Sequence, residues 1–110
     1  MDFVNEITDI ENKISRLEYE KKEIIEKNVR PIVDKIIEKL NDLREKRNYD
    51  FAIKQISFND VDGCYTISLG FPNGLSFKKR LDYKHRISKI AYEDIDDYYL
   101  KYIYIIGAIA

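Results

Sequence analysis

Two hydrophobic rhythms divide the chain. Apolar residues recur at steps of three and four in Ile7, Ile10, Ile14 and Leu17, and again in Val33, Ile36, Leu40 and Leu43. That spacing puts each set on one narrow stripe of a helix, the kind that seams against another helix. From Tyr49 onward the period shortens to two, the spacing of strands. The pattern predicts an α+β fold. A long kinked helix or two helices, coiled-coil-like, precede a four- to five-stranded antiparallel sheet.

Within the first half the two stripes are out of phase. Lys21, Ile25, Val29 and Val33 follow at steps of four, so the seam drifts around the helix between them. Pro31 sits in that slip. In mid-helix it would forfeit the bond to the Lys27 carbonyl and cost about 3 kcal/mol, whereas in a first turn it costs little. Asn28 suits an N-cap for a second helix. Helices near 3–27 and 29–47, meeting at a kink or corner, are expected. Thr8 and Glu11 have capping-box spacing, which allows a start as late as residue 9. Glu18 with Lys22, and Glu23 with Lys27, have the favourable order of a solvated helix face.

The second half reads as a meander. Tyr49, Phe51 and Ile53 alternate, then Ile56 and Phe58 continue in the opposite phase, which predicts a bulge near Lys54-Gln55 in a strand over 49–58. Asn59–Gly63 is a turn by composition. A second strand over 64–71 puts Tyr65, Ile67, Leu69 and Phe71 on one face. Phe71-Pro72-Asn73-Gly74 reads as a further turn. A third strand over 75–84 would face Leu75, Phe77, Leu81 and Tyr83 inward. Residues 85–97 read as a loop or short helical turn. A last strand over 98–106 is apolar on both faces, which suggests a central position or an interface. The apolar end, Gly107–Ala110, should pack on the core or on a neighbouring subunit.

Length and charge narrow the picture. With 110 residues the chain forms one domain, a helical segment over 1–48 and a sheet over 49–110. Its net charge is −1, and residues 1–48 hold 12 acids and 11 bases against 8 of each in 49–110. No whole-domain field draws in a polyanion. No apolar run approaches the roughly 20 residues of a spanning helix, and the acidic N-terminus is unlike a secretion signal, so an intracellular protein without membrane association is expected. Eighteen isoleucines, nine tyrosines, one glutamine and many Lys and Glu make an unusual mixture. Over the whole chain it resembles the composition of small proteins of hyperthermophilic archaea and their viruses, which implies a cytoplasmic setting in a host or an infected cell.

The chemistry-bearing residues are few. Cys64 and His85 are the only ones of their kind, so neither a disulfide within the chain nor a Cys/His zinc site is expected. The four glycines are scattered, without a phosphate-cradling loop. No catalytic residue, metal site or cofactor is predicted. The turn at Asp60-x-Asp62-Gly63 fails as a calcium loop, because positions 1 and 12 would be Phe58 and Leu69. Asp62 with Asp82-Tyr83-Lys84 is similar to the PD-(D/E)xK nuclease pattern. That resemblance implies two metal-holding acids and an assisting lysine, without the proline and with Asp62 in a turn.

Two binding surfaces remain. On a regular third strand Lys78, Arg80, Lys84 and Arg86 would share one face and could track a phosphate backbone. The acids at 93–97 could instead cover that row. The helical stripes Ile7, Ile10, Ile14, Leu17 and Val33, Ile36, Leu40, Leu43 need a partner, which is either the chain's own sheet or a second copy. The expected function is that of a non-enzymatic interaction module, a homo-oligomer that binds another protein.

Overall fold

A computed structural model describes residues 3–109, the side chains of residues 108 and 109 excepted. The chain runs α1 (Phe3–Lys46), β1 (Ala52–Asn59), β2 (Cys64–Phe71), α2 (Phe77–Ala91), α3 (Asp97–Leu100) and β3 (Ile103–Ile109). The fold is α+β, with a long N-terminal helix followed by a three-stranded mixed sheet.

α1 is one helix of 44 residues, not two. Pro31 lies inside it, with its ring exposed. Val29 and Val33, on either side of the proline, are 2% and 0% exposed. Packing therefore keeps the helix continuous through the position where the Lys27 carbonyl lacks its usual donor. Asn28 does not cap a second helix. Its side-chain amide donates to the Ile24 carbonyl one turn back, at 2.7 Å. Thr8 likewise bonds back to the Val4 carbonyl at 2.8 Å, so it lies within the helix rather than at its start.

β1 and β2 form the expected hairpin. β1 pairs antiparallel with β2 through Ile53 with Leu69, Ile56 with Ile67 and Phe58 with Tyr65. The register slips between Ile53 and Gln55, which is the bulge that the phase reversal predicts. It returns Ile56 and Phe58 to the face already occupied by Ile53. Gly63 closes the turn with φ +68°, a conformation that side chains resist.

Beyond Phe71 the chain departs from the meander. Residues 77–91 form the helix α2 in place of a third antiparallel strand. Ser76 caps it, its hydroxyl accepting from the Lys79 N–H at 3.2 Å. The helical spacing of Tyr83, Ile87, Ile90 and Ala91 sets the buried side. Phe77 and Leu81, assigned inward on a strand, are 73% and 40% exposed. α2 then makes possible a connection that no tight turn could. β3 lies parallel to β2, with Tyr65 beside Ile103 and Ile67 beside Ile105.

The sheet order is β1-β2-β3, so β2 is central and β3 is an edge. The last strand starts at Ile103 rather than 98. Asp96 caps the short α3 ahead of it, accepting from the Tyr98 N–H at 2.9 Å. Ile103 and Ile105 face the core at 2% and 6% exposure, while Tyr104 and Ile106 face out at 52% and 44%. The expected packing of the final residues, 108–110, lies outside the described side chains.

One core joins these elements. Val33, Ile36, Leu40 and Leu43 of α1 meet Tyr65, Ile67, Leu69 and Phe71 of β2, with Ile87 and Ala91 of α2 closing the side. Burying each large aliphatic side chain contributes on the order of 1.5–3 kcal/mol. All of these contacts lie at or beyond Val29. The radius of gyration is 18.7 Å and the long dimension is 68 Å, against about 13 Å for a compact chain of this length. The first part of α1 is therefore an arm that stands off the body.

Candidate functional site

The arm comprises residues 3–28, about 39 Å of helix at 1.5 Å per residue. Every residue from Phe3 to Lys21 is exposed. It nonetheless carries an apolar stripe. Phe3 is 71% exposed, Ile10 57%, Ile14 50%, Leu17 64% and Ile24 61%, with Ile7 also open to solvent. In heptad terms Ile7 and Ile14 occupy a, as does Lys21, while Phe3, Ile10, Leu17 and Ile24 occupy d. Phe3 and Ile24 extend the stripe by one position at each end. The same count of three and four carried outward from Ile7 and Leu17 identifies them.

The two stripes of α1 have opposite fates. Val33, Ile36 and Leu40 are fully buried and Leu43 is 2% exposed, all beneath this chain's own sheet and α2. That set is consumed in the core. At 100° per residue the arm stripe is turned by about a quarter turn from the buried one, so it does not point at the body. The junction itself is lightly held. Lys22 and Ile25 pass near Gly63 in the β1–β2 turn. The Tyr65 hydroxyl donates to the Glu26 carbonyl at 2.9 Å. Burial pushes that phenol's pKa up, and the neighbouring Glu26 carboxylate adds to it. An open groove of about 660 Å³ lies beside the junction, lined by Glu23, Ile24, Glu26, Lys27, Arg30 and Tyr65.

The basic residues do not form a row on a strand, because their segment is helical. Lys78, Lys79, His85, Arg86 and Lys89 lie on the solvent side of α2. Arg80 and Lys84 turn toward the body and are half-buried, the Lys84 stem running beside Gly107 of β3. The four residues expected to share a face therefore split into two pairs. Lys79 and His85 join Lys78 and Arg86 instead. α2 holds six Lys and Arg against one acid, Asp82, in a chain of net charge −1. A field at this helix is consequently local.

The remaining candidates dissolve into structural roles. Asp62 stays in the β1–β2 turn, accepting from the Asn59 amide at 3.0 Å, while Asp82 and Lys84 sit two apart on α2 and so point to different sides. The nuclease-like placement on strands is not realised. In the acidic 93–97 segment, Asp94 pairs with Lys39 of α1 at 2.7 Å and Asp96 caps α3. It anchors to α1 rather than covering the α2 cations. Among the described residues no three His, Cys, Asp or Glu side chains gather into a metal-binding group. Cys64 is buried, and its pKa is raised first by that burial and then by Asp62, which makes it a poor nucleophile.

No protein-family model, curated protein or solved structure matches this chain. Among the described residues, no helix is long and apolar enough to cross a membrane.

Proposed function

We propose that this protein is a non-enzymatic interaction module that self-assembles through the projecting arm of α1. One observation carries the reading: an apolar heptad stripe stands in solvent on a helix that the body leaves uncovered. Exposing Phe3, Ile10, Ile14, Leu17 and Ile24 together costs free energy that pairing with another helix recovers. Most helical stability in proteins comes from packing of an amphipathic face, so a partner also stabilises the arm's helix.

Multi-angle light scattering tests it. The chain should run at a multiple of its 13.1 kDa mass, and Ile14→Asp should return it to the monomer with the body still folded. A wild-type monomer at high concentration removes the reading.

A second reading rests on α2. Its solvent side, Lys78, Lys79, His85, Arg86 and Lys89, suits a phosphate backbone, with contacts spread over about 16 Å of helix. Anisotropy of labelled random-sequence DNA and RNA should then show binding that falls steeply with salt and weakens in a Lys78→Ala, Arg86→Ala double variant. Absence of binding at low salt retires it.

A further inference from the structure

We infer that the arm pairs antiparallel with the arm of a second copy, in the register that sets Ile14 against Leu17 of the partner subunit. The inference rests on the self-assembly proposed above and adds its geometry. The occupant and the register follow from what flanks the exposed stripe.

With Ile7, Ile14 and Lys21 at a, the g positions hold Glu6, Lys13, Glu20 and Lys27, and the e positions hold Val4, Glu11, Glu18 and Ile25. These flanks discriminate among the ways two such arms can meet. In a parallel pair Lys21 meets the partner's Lys21 inside the seam, and Glu6 faces the partner's Glu11. Only Lys13, facing the partner's Glu18, is matched. Both like-charge contacts oppose the parallel arrangement.

In an antiparallel pair a faces d and g faces g. The register with Ile14 opposite the partner's Leu17 also sets Ile7 opposite the partner's Ile24. Glu6 then faces the partner's Lys27, and Lys13 faces the partner's Glu20. Two-fold symmetry forms each of these contacts twice. Val4 meets the partner's Ile25 on the e side. Lys21 lies opposite the partner's Ile10, where its stem can cover apolar surface while its ammonium reaches water. The like-charge contact of Glu11 with the partner's Glu18, also formed twice, remains at the exposed rim. Sliding by one heptad gives Lys13 against Lys13, Glu6 against Glu20 and Glu11 against Glu11, all repulsive. Charge complementarity thus selects one arrangement.

The fold is consistent with it. The pairing uses residues 3–28, with Phe3 reaching the partner's Asn28, and that is the span of α1 that precedes the first core residue, Val29. Because the arm stripe is turned about a quarter turn away from the buried one, the incoming helix lies to one side of its host's body and meets it only at the junction, where Ile25 packs on the core and Tyr65 lines the groove beside Ile24 and Lys27. The two bodies then sit at opposite ends of the paired arms.

The test uses full-length chains carrying Cys64→Ser. Ile14→Cys and Leu17→Cys are made separately, one with a mass tag, and oxidised alone and mixed. The antiparallel register predicts a disulfide-linked dimer chiefly in the mixture, of the mass expected for one chain of each. Cross-linking of each variant with itself, on a sample whose light-scattering mass is a dimer, overturns the register and leaves self-assembly standing. A monomeric mass in every sample removes self-assembly and the register together. A charge swap provides a readout without cysteines. Lys13→Glu should weaken the dimer tenfold or more, and adding Glu20→Lys should restore it. Failure of Glu20→Lys to restore it overturns the antiparallel register, because in a parallel pair Glu20 faces only the partner's Ile25.

Discussion

The two halves of α1 are alike in sequence rhythm and opposite in circumstance. Residues 33–43 place Val33, Ile36, Leu40 and Leu43 under a sheet, where none exceeds 2% exposure. Residues 7–17 place Ile7, Ile10, Ile14 and Leu17 in open solvent. The same spacing of apolar residues therefore supports a core in one half and an uncovered seam in the other. Helical periodicity states that a stripe exists, and the rest of the chain states whether anything intramolecular lies against it.

The comparison can be broken most sharply with one charge in each half. Leu40→Asp puts a carboxylate at a fully buried position and should cost at least about 4 kcal/mol, enough to unfold most of the body in a denaturant titration. Ile14→Asp should leave the body's unfolding midpoint near the wild-type value once the protein is monomeric. Equal losses of body stability in the two variants would mean that the arm also packs on the body.

Pro31 tests the joint between the halves. Ala in its place restores a donor toward the Lys27 carbonyl and should stabilise α1 by up to about 3 kcal/mol, seen as a higher thermal midpoint and more helical circular dichroism. An unchanged midpoint would mean that the two halves melt independently, with Pro31 at a frayed boundary.

The smallest expected effect lies in the body alone. Burial pushes Tyr92 up to about 12, with the Ile105 backbone N–H pulling in the opposite direction. The phenol holds its proton longer in the folded state than the ordinary value near 10 allows, so the native state binds more protons between these values. Stability is thus fully present below about pH 10 and falls as pH rises toward about 12. Tyr92→Phe should flatten that decline. A decline of the same slope in the variant would assign it to other tyrosines.

Much of this architecture is legible before folding is considered. The helical first half, the hairpin over 49–71, its bulge and the Gly63 turn all follow from local signals. The second strand matches residue for residue. The misreading begins at Leu75, where Leu75, Phe77, Leu81 and Tyr83 imitate strand alternation. The helical signals were present in Ser76 as a cap and in Tyr83, Ile87 and Ile90 at steps of four and three. Strand alternation outweighs them because Phe77 and Leu81 are exposed apolar residues, which a pattern of polarity counts as buried. The split of Lys78 and Arg86 from Arg80 and Lys84 follows directly from that change of period.

Local signals set where the chain turns, which residues are amphipathic partners along each element, and that α1 carries two stripes out of phase. These are local properties, fixed by dihedral preference and by side-chain spacing of two or 3.6 residues. The parallel course of β3 beside β2, the covering of the second stripe of α1 and the unbroken passage of α1 through Pro31 are set at the level of the whole fold. Those outcomes depend on contacts between residues far apart in the chain. The proline is tolerated because Val29 and Val33 are both held in the core, and the stripe over 7–17 is bare because the core reaches back along α1 only to Ile25.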